Sequence, residues 1–288
     1  MTTPRLGAHM SVSGGPANAF VRGRSIGCET MQIFVRSPNR WNSPPLTNDQ
    51  VQAYYQEQES TDIWPVVAHS SYLINLGSPD RALWTRSLET LIDELQRCRR
   101  LGIDTYVLHP GSHRGSGEKE GLRRVVDGLD QALANCGDGE SPVIALETTA
   151  GQGDSLGCSF EQLAWLIAHC NHAQRLGVCL DTAHVLVAGY EFRTPKTYQA
   201  LWQAFDALIG RERLRVIHLN DSKRDLGSQV DRHEHIGEGF VGEQAFRLLL
   251  NDPSLRHIPM VLETPKGADM REDIENLARL RRLINADG

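Results

Sequence analysis

Eight short β-rich runs recur along the chain, separated by longer stretches whose apolar residues fall at helical spacing. The runs are "RLGAHM", "MQIFV", "PVVAHS", "TYVLHP", "PVIALET", "GVCLDT", "RVIHLN" and "PMVLET". Between them, "ALWTRSLETLIDELQRCRRL" sets Leu83, Leu88, Leu91, Ile92 and Leu95 near one helical face, and "FEQLAWLIAHC" and "QALWQAFDALIG" behave likewise. "REDIENLARLRRLINADG" reads as a closing amphipathic helix. Strands joined through helices pair in parallel, and eight such units predict a closed (β/α)8 TIM barrel, with an open doubly wound sheet as the alternative. The chain shows no composition break, so its 288 residues are expected to form a single domain, 1–288.

The six cysteines form no C-x-x-C pair and are expected to be free thiols in a reducing compartment. The start, "MTTPRLGAHMSVSGG", lacks the basic and apolar regions of a signal peptide, and no apolar run reaches membrane-spanning length. A soluble cytoplasmic protein is the expectation. The formal charge is −6, which by itself argues weakly against a nucleic-acid partner.

The sixth run ends unusually. "VCLDTAH" begins as a buried strand and then places Asp181 and, three residues on, His184. Other runs end alike: the third in His69, the fourth in His109, the fifth in Glu147, the seventh in His218 and the eighth in Glu263. A long connection after the seventh, "DSKRDLGSQVDRHEHIGEGFVG", adds Asp231 and His233. Taken singly, a histidine at a strand end is usually a satisfied polar group, and an acid there often caps the next helix. Together they converge, because barrel chemistry sits at the carboxyl ends of the strands. Carboxylates aimed into one mouth would repel one another or hold protons, and cations remove that conflict. The mixed His/carboxylate set, with no cysteine among it, suits Zn²⁺, with Mn²⁺ or Fe²⁺ as alternatives. Four carboxylates and five histidines exceed one tetrahedral ion and suit two or three. His9 is expected beside the site rather than in it, and His235 to orient its loop.

These residues lie within blocks that carry a family resemblance. "HSSYLINLGSP" (69–79), "LHPGSH" (108–113), "LETTAGQG" (146–153), "GVCLDTAHVLVAGY" (177–190), "HLNDSK" (218–223), "DRHEHIGEG" (231–239) and "LETP" (262–265) resemble endonuclease IV, the zinc-dependent apurinic/apyrimidinic endonucleases of base-excision repair. The resemblance runs over essentially the whole chain. It implies a TIM barrel holding three Zn²⁺, with Mn²⁺ an option at one. His69, His109 and Glu147 would hold the first ion; Glu147 as bridge, Asp181, His218 and Glu263 the second; His184, Asp231 and His233 the third. Thr148 stands where the family commonly has Asn, and Ala183 where Cys is frequent, but neither is a ligand.

The resemblance further implies hydrolysis of the phosphodiester 5′ to an abasic deoxyribose in double-stranded DNA, leaving a 3′-hydroxyl, and removal of 3′-blocking groups. Glu147 and Glu263 would orient the attacking hydroxide. Three divalent ions would cancel the chain's −6 and focus positive potential in the mouth. Arg36, Arg40, Lys223, Arg224 and Arg232 lie in loops expected on the rim and could meet phosphates. Tyr72 and Leu73 follow His69 directly and could wedge into the base stack. Asn39 occupies the minor-groove-probing loop where relatives often place Arg. A monomer without membrane contact is expected. The rival reading is a divalent-metal sugar isomerase or epimerase, which would need only Glu147, Asp181, His218 and Glu263. A non-catalytic binder of damaged DNA would require lost ligands, and all nine are present.

Overall fold

The computed structural model describes residues 3–137, 139 and 141–285, so the last three residues of the expected closing helix lie outside the described residues. All eight expected strands form: β1 Leu6–Met10, β2 Thr30–Phe34, β3 Val66–His69, β4 Thr105–Leu108, β5 Val143–Glu147, β6 Leu176–Asp181 and β7 Leu214–His218, and, after two short strands β8 and β9, β10 Met260–Leu262. They close in the order β1-β10-β7-β6-β5-β4-β3-β2, every pair parallel. The barrel is therefore confirmed and the open sheet excluded. Gly7 is needed for closure: a Cβ there would stand 1.7 Å from the Thr30 carbonyl oxygen.

The helices pack outside: α1 Asn18–Ser25, α2 Asn48–Glu59, α3 Arg81–Arg100, α4 Glu118–Asn135, α5 Phe160–His169, α6 Thr182–Ala188, α7 Pro195–Leu208, α8 Gly242–Leu250 and α9 Arg271–Leu283. Local chemistry starts several of them. Thr47 and Gln50 form a capping box on α2, Asp80 accepts from the first amides of α3, and Ser159 caps α5. Of the predicted α3 face, Leu88, Leu91 and Leu95 are buried, whereas Leu83 and Ile92 are only partly so. Among the described residues, no helix is long and apolar enough to cross a membrane.

The barrel interior explains where the polar residues go. Val67, Val107, Ala145, Cys179, Val216 and Val261 form one fully buried layer inside it. Side chains two apart on a strand share a face. Two residues after each member of that layer stands His69, His109, Glu147, Asp181, His218 or Glu263. Each is thereby lifted to the next layer, toward the mouth. β4 and β10 stop one residue earlier than expected, so His109 and Glu263 are the first residues beyond them.

The long connection after β7 is not structureless. β8 (Asp221–Ser222) pairs antiparallel with β9 (His233–Glu234), placing Ser222 opposite His233. This short ribbon returns the loop to the mouth.

Candidate metal centre

Glu147 stands at the middle of the mouth with no exposed surface. Its Oε2 lies 3.1 Å from His69 Nε2 and 3.0 Å from His109 Nε2, and its Oε1 lies 3.2 Å from His218 Nδ1 and 3.3 Å from His184 Nδ1. His218 Nδ1 also approaches Glu263 Oε2 at 3.2 Å and Asp181 Oδ2 at 3.7 Å. On the far side, Asp231 Oδ1 is 3.3 Å from His184 Nε2 and 3.6 Å from His233 Nε2, and His233 Nε2 is 3.7 Å from Asp181 Oδ2. All nine expected ligands thus meet in one cluster.

The donor atoms of eight of them fall into overlapping groups within 4.8 Å: His69, His109 and Glu147; Glu147, Asp181, His218 and Glu263; and Asp181, His184 and His233. In the third group Asp181 stands in the place expected for Asp231, which lies beside this group against His184 and His233. Glu147 joins the first two groups and Asp181 the last two. Asp181 also caps α6, its Oδ1 accepting from the His184 amide at 2.8 Å. The capping role of a strand-end acid therefore holds for it, while its Oδ2 still faces the cluster.

One cysteine lies in this neighbourhood, although the expected ligand set contains none. Cys179 shares one group with Glu147 and His218. Burial pushes its thiol up to about 12, so it stays protonated and forms part of the floor. All six cysteines are free, as expected.

The electrostatics are those of a site that wants cations. Burial alone would push Glu147 upward, but the surrounding histidines, His109 and His218 foremost, hold it well below its usual range. Burial likewise opposes charge on His184, yet Asp181, Asp231 and Glu147 hold its imidazole well above its usual range. His218 follows the same pattern, with burial outweighed by the carboxylates of Glu263, Glu147 and Asp181. Among protein groups alone, protons would have to neutralise the carboxylates; divalent ions can do so instead.

The hydrogen bonds around the cluster also prepare it for metal. His69 Nδ1 is 2.8 Å from the Ser70 carbonyl, His184 Nδ1 is 2.8 Å from the Thr148 carbonyl, and His233 Nδ1 is 3.3 Å from the Glu263 carbonyl. His218 Nε2 is 2.8 Å from Gln32 Oε1. An oxygen acceptor on one ring nitrogen places the proton there and leaves the other nitrogen as a lone pair aimed into the cluster. The Nε2 atoms of His184 and His233 are buried without a hydrogen-bond partner. A cation would satisfy both, and the donor set fits one.

Apart from His9, the residues that surround the ligands were not legible in the sequence. Gln32 also donates to Glu263 Oε1 at 2.5 Å and lies 3.0 Å from His9 Nδ1. Asn220 donates to Asp181 Oδ2 at 2.7 Å and accepts from the Glu263 amide at 2.8 Å. Thr148 accepts from the Asp181 amide at 2.9 Å, so the departure at this position helps to hold a ligand. His9 stands beside the site, as expected, and burial pulls its imidazole below its usual range. His235 contacts Asn276 of α9 at 3.2 Å. Gln32→Ala frees His218 and Glu263 together. It should weaken metal retention by about 10–100-fold, measured by competition with a chelator; unchanged retention would leave Gln32 without this role.

Around the rim, the expected DNA-facing residues separate. Arg36 is not a rim cation: it is buried, donating to Asp93 Oδ2 at 2.7 Å and to the Trp41 carbonyl at 2.5 Å. It clamps its own loop to α3. Asn39, Arg40, Lys223, Arg224 and Arg232 are exposed, though Lys223 faces Glu234 at 3.9 Å. Tyr72 is 70 % exposed, its ring 5.3 Å from that of Phe34, and Leu73 is half-buried. Tyr72, His69 and His109 border both a mouth cavity of about 280 Å³, containing Glu263 and Lys266, and a crevice of about 630 Å³ beside it.

The chain matches the family described as xylose isomerase-like TIM barrel over residues 20–281. It is 51% identical to a probable endonuclease 4 of Chloroflexus aggregans, over 98% of each chain. Among solved structures it is similar to endonuclease IV from Thermus thermophilus, with a TM-score of 0.86 and 38% identity over 97% of this chain and 98% of that one. A 3-keto-D-glucoside 4-epimerase from E. coli shares the fold, with a TM-score of 0.71 at 16% identity over 97% and 99% of the two chains.

Proposed function

The chain belongs to the endonuclease IV family, and on that premise we propose that it is a DNA-repair hydrolase. It cleaves the phosphodiester 5′ to abasic sites in duplex DNA, leaving a 3′-hydroxyl and a 5′-deoxyribose phosphate, and it removes 3′-blocking groups. The observation that carries this reading is the number of ligand groups. An isomerase needs Glu147, Asp181, His218 and Glu263 alone, whereas His69, His109, His184, Asp231 and His233 extend the same cluster to either side. We assign Zn²⁺ to the three groups, with Mn²⁺ acceptable at one.

Bound there, divalent ions supply positive charge against an anionic phosphodiester and make a water molecule acidic enough to attack at neutral pH. The chain's own residues do the rest. Glu263 retains 19% exposure of its side chain and opens on the mouth, whereas Glu147 is sealed. Glu263 is therefore the carboxylate that can touch and orient the attacking water, and Glu147 holds the histidines in register. Gln32 fixes Glu263 Oε1, leaving Oε2 near His218. Tyr72 stands out from the rim rather than packing into the barrel, which suits an apolar wedge entering the duplex beside Leu73. An abasic nucleotide has no base to unstack, so it is the nucleotide most easily drawn into the mouth. Asn39, Arg40, Lys223 and Arg232 are exposed, which supports their meeting the backbone phosphates. The protein is proposed to act as a monomer.

The test uses zinc-replete protein and a labelled duplex bearing one tetrahydrofuran abasic analogue. Cleavage on the 5′ side to a polymerase-extendable 3′-end is expected, lost on chelation and restored by Zn²⁺, with elemental analysis near three ions per chain, one for each ligand group. An uncut duplex together with turnover of a ketose would transfer the chain to the isomerase reading.

A further inference from the structure

The crevice beside the ligand cluster is lined by Arg114 and Arg232, with Trp41, Tyr72 and Asp231 among its other residues. Arg114 has an unusual backbone. Its φ is +45°, the left-handed region that favours glycine, although glycines stand close by at 111, 115 and 117. The surrounding turn enforces this conformation. The His113 amide donates to the Asp154 carbonyl at 3.0 Å, the Ser116 amide to the His113 carbonyl at 3.0 Å, and the Gly117 amide to His113 Nδ1 at 3.3 Å. Asn75 Oδ1 accepts from the Ser112 amide at 2.8 Å.

The side chain so displayed is exposed, and among the described residues it makes no hydrogen bond or ion pair. Arg232, the other cation lining the crevice, is engaged with its neighbour's carbonyl at 2.5 Å, and Lys223 lies near Glu234, whereas the exposed Arg40 and Arg224 do not line the crevice. A strained backbone that presents an unpaired cation to a crevice next to a metal cluster is best explained by an anion bound there. Asn39, the expected groove probe, carries no charge.

Resting on the endonuclease reading, we infer that Arg114 is a DNA-contacting residue of this chain, holding a backbone phosphate of the strand seated in the crevice. The contact is to phosphate, so it contributes affinity rather than base specificity. It acts before the bond is broken, so it belongs in binding and not in turnover.

The experiment measures affinity for uncleaved abasic duplex across a salt series, together with kcat, for wild type, Arg114→Ala, Arg114→Gly and Arg114→Lys. Losing one phosphate contact should lower the slope of log Kd against log salt by about one in the Ala and Gly variants. Lys should keep the slope; kcat and metal content should be unchanged throughout. The Gly variant should melt about 2–4 °C above the Ala variant, because it relieves the left-handed strain. If the backbone shape alone mattered, Gly would bind as wild type does, and that result overturns the inference. So does an unchanged slope in the Ala variant while wild type cuts abasic duplex. Wild type that neither binds nor cuts it overturns the endonuclease reading as well.

Discussion

Glu147→Gln is expected to lower cleavage of abasic duplex by roughly a thousandfold or more, the scale of losing a preorganised electrostatic group at the reacting centre. The substitution preserves volume in a fully buried position, so the barrel should form. It replaces one carboxylate oxygen with an amide that donates. Oε2 serves the Nε2 atoms of His69 and His109, and Oε1 serves Nδ1 of His218, so whichever way the amide turns it faces a ring nitrogen needed as a lone pair. Removal of the charge also leaves the histidines without their central partner. Metal analysis beside circular dichroism separates the two consequences: native secondary structure with depleted metal is expected. Near-normal cleavage with full metal content would show that Glu147 is not the bridge.

Asp221→Ala is expected to be nearly as damaging, although Asp221 is not a proposed ligand. Its buried carboxylate gathers main-chain amides from both ends of the loop: Ser222 and Val241 on Oδ1 and Gly237 on Oδ2, each at 2.8 Å. Alanine leaves these donors without an acceptor, a local loss on the order of 3 kcal/mol or more. The β8–β9 ribbon carrying His233, with Asp231 just before it, should then detach from the mouth. Turnover should fall by orders of magnitude, as it should for His233→Ala, with about one ion lost per chain in both variants. The barrel strands and the Glu147 groups should survive. Full activity of Asp221→Ala beside an inactive His233→Ala would show that the ribbon stands without its anchor.

The strand-borne part of the site was legible because its signal is local. "VAH", "VLH", "ALE", "CLD", "VIH" and "VLE" each set a ligand two residues after a small or branched core residue. A strand alternates faces every residue, so each triplet by itself sends both side chains inward at successive heights. Strand–helix alternation then dictates a parallel barrel whose carboxyl ends share one mouth. Those two periodicities determined the fold and brought His69, His109, Glu147, Asp181, His218 and Glu263 together.

Other features carried no such period. Arg36 reads as a solvent-facing loop cation until α3 supplies Asp93 as its partner, 57 positions away in sequence. Gln32 reads as a polar residue in an apolar strand until closure of the barrel sets it against His218 and Glu263, the latter 231 positions away. Cys179 enters the cluster only because six strands narrow onto one buried layer. Asp231 and His233 were visible as ligand types, but their aim depends on a ribbon held by one buried carboxylate. Strand periodicity acts within a few residues, so sequence determined the barrel and its inward-facing ligands. Hydrogen bonds to the unused ring nitrogens, and the burial that makes them strong, exist only once distant segments meet. Tertiary structure alone therefore decided which residues orient the ligands and which cations stay free on the rim.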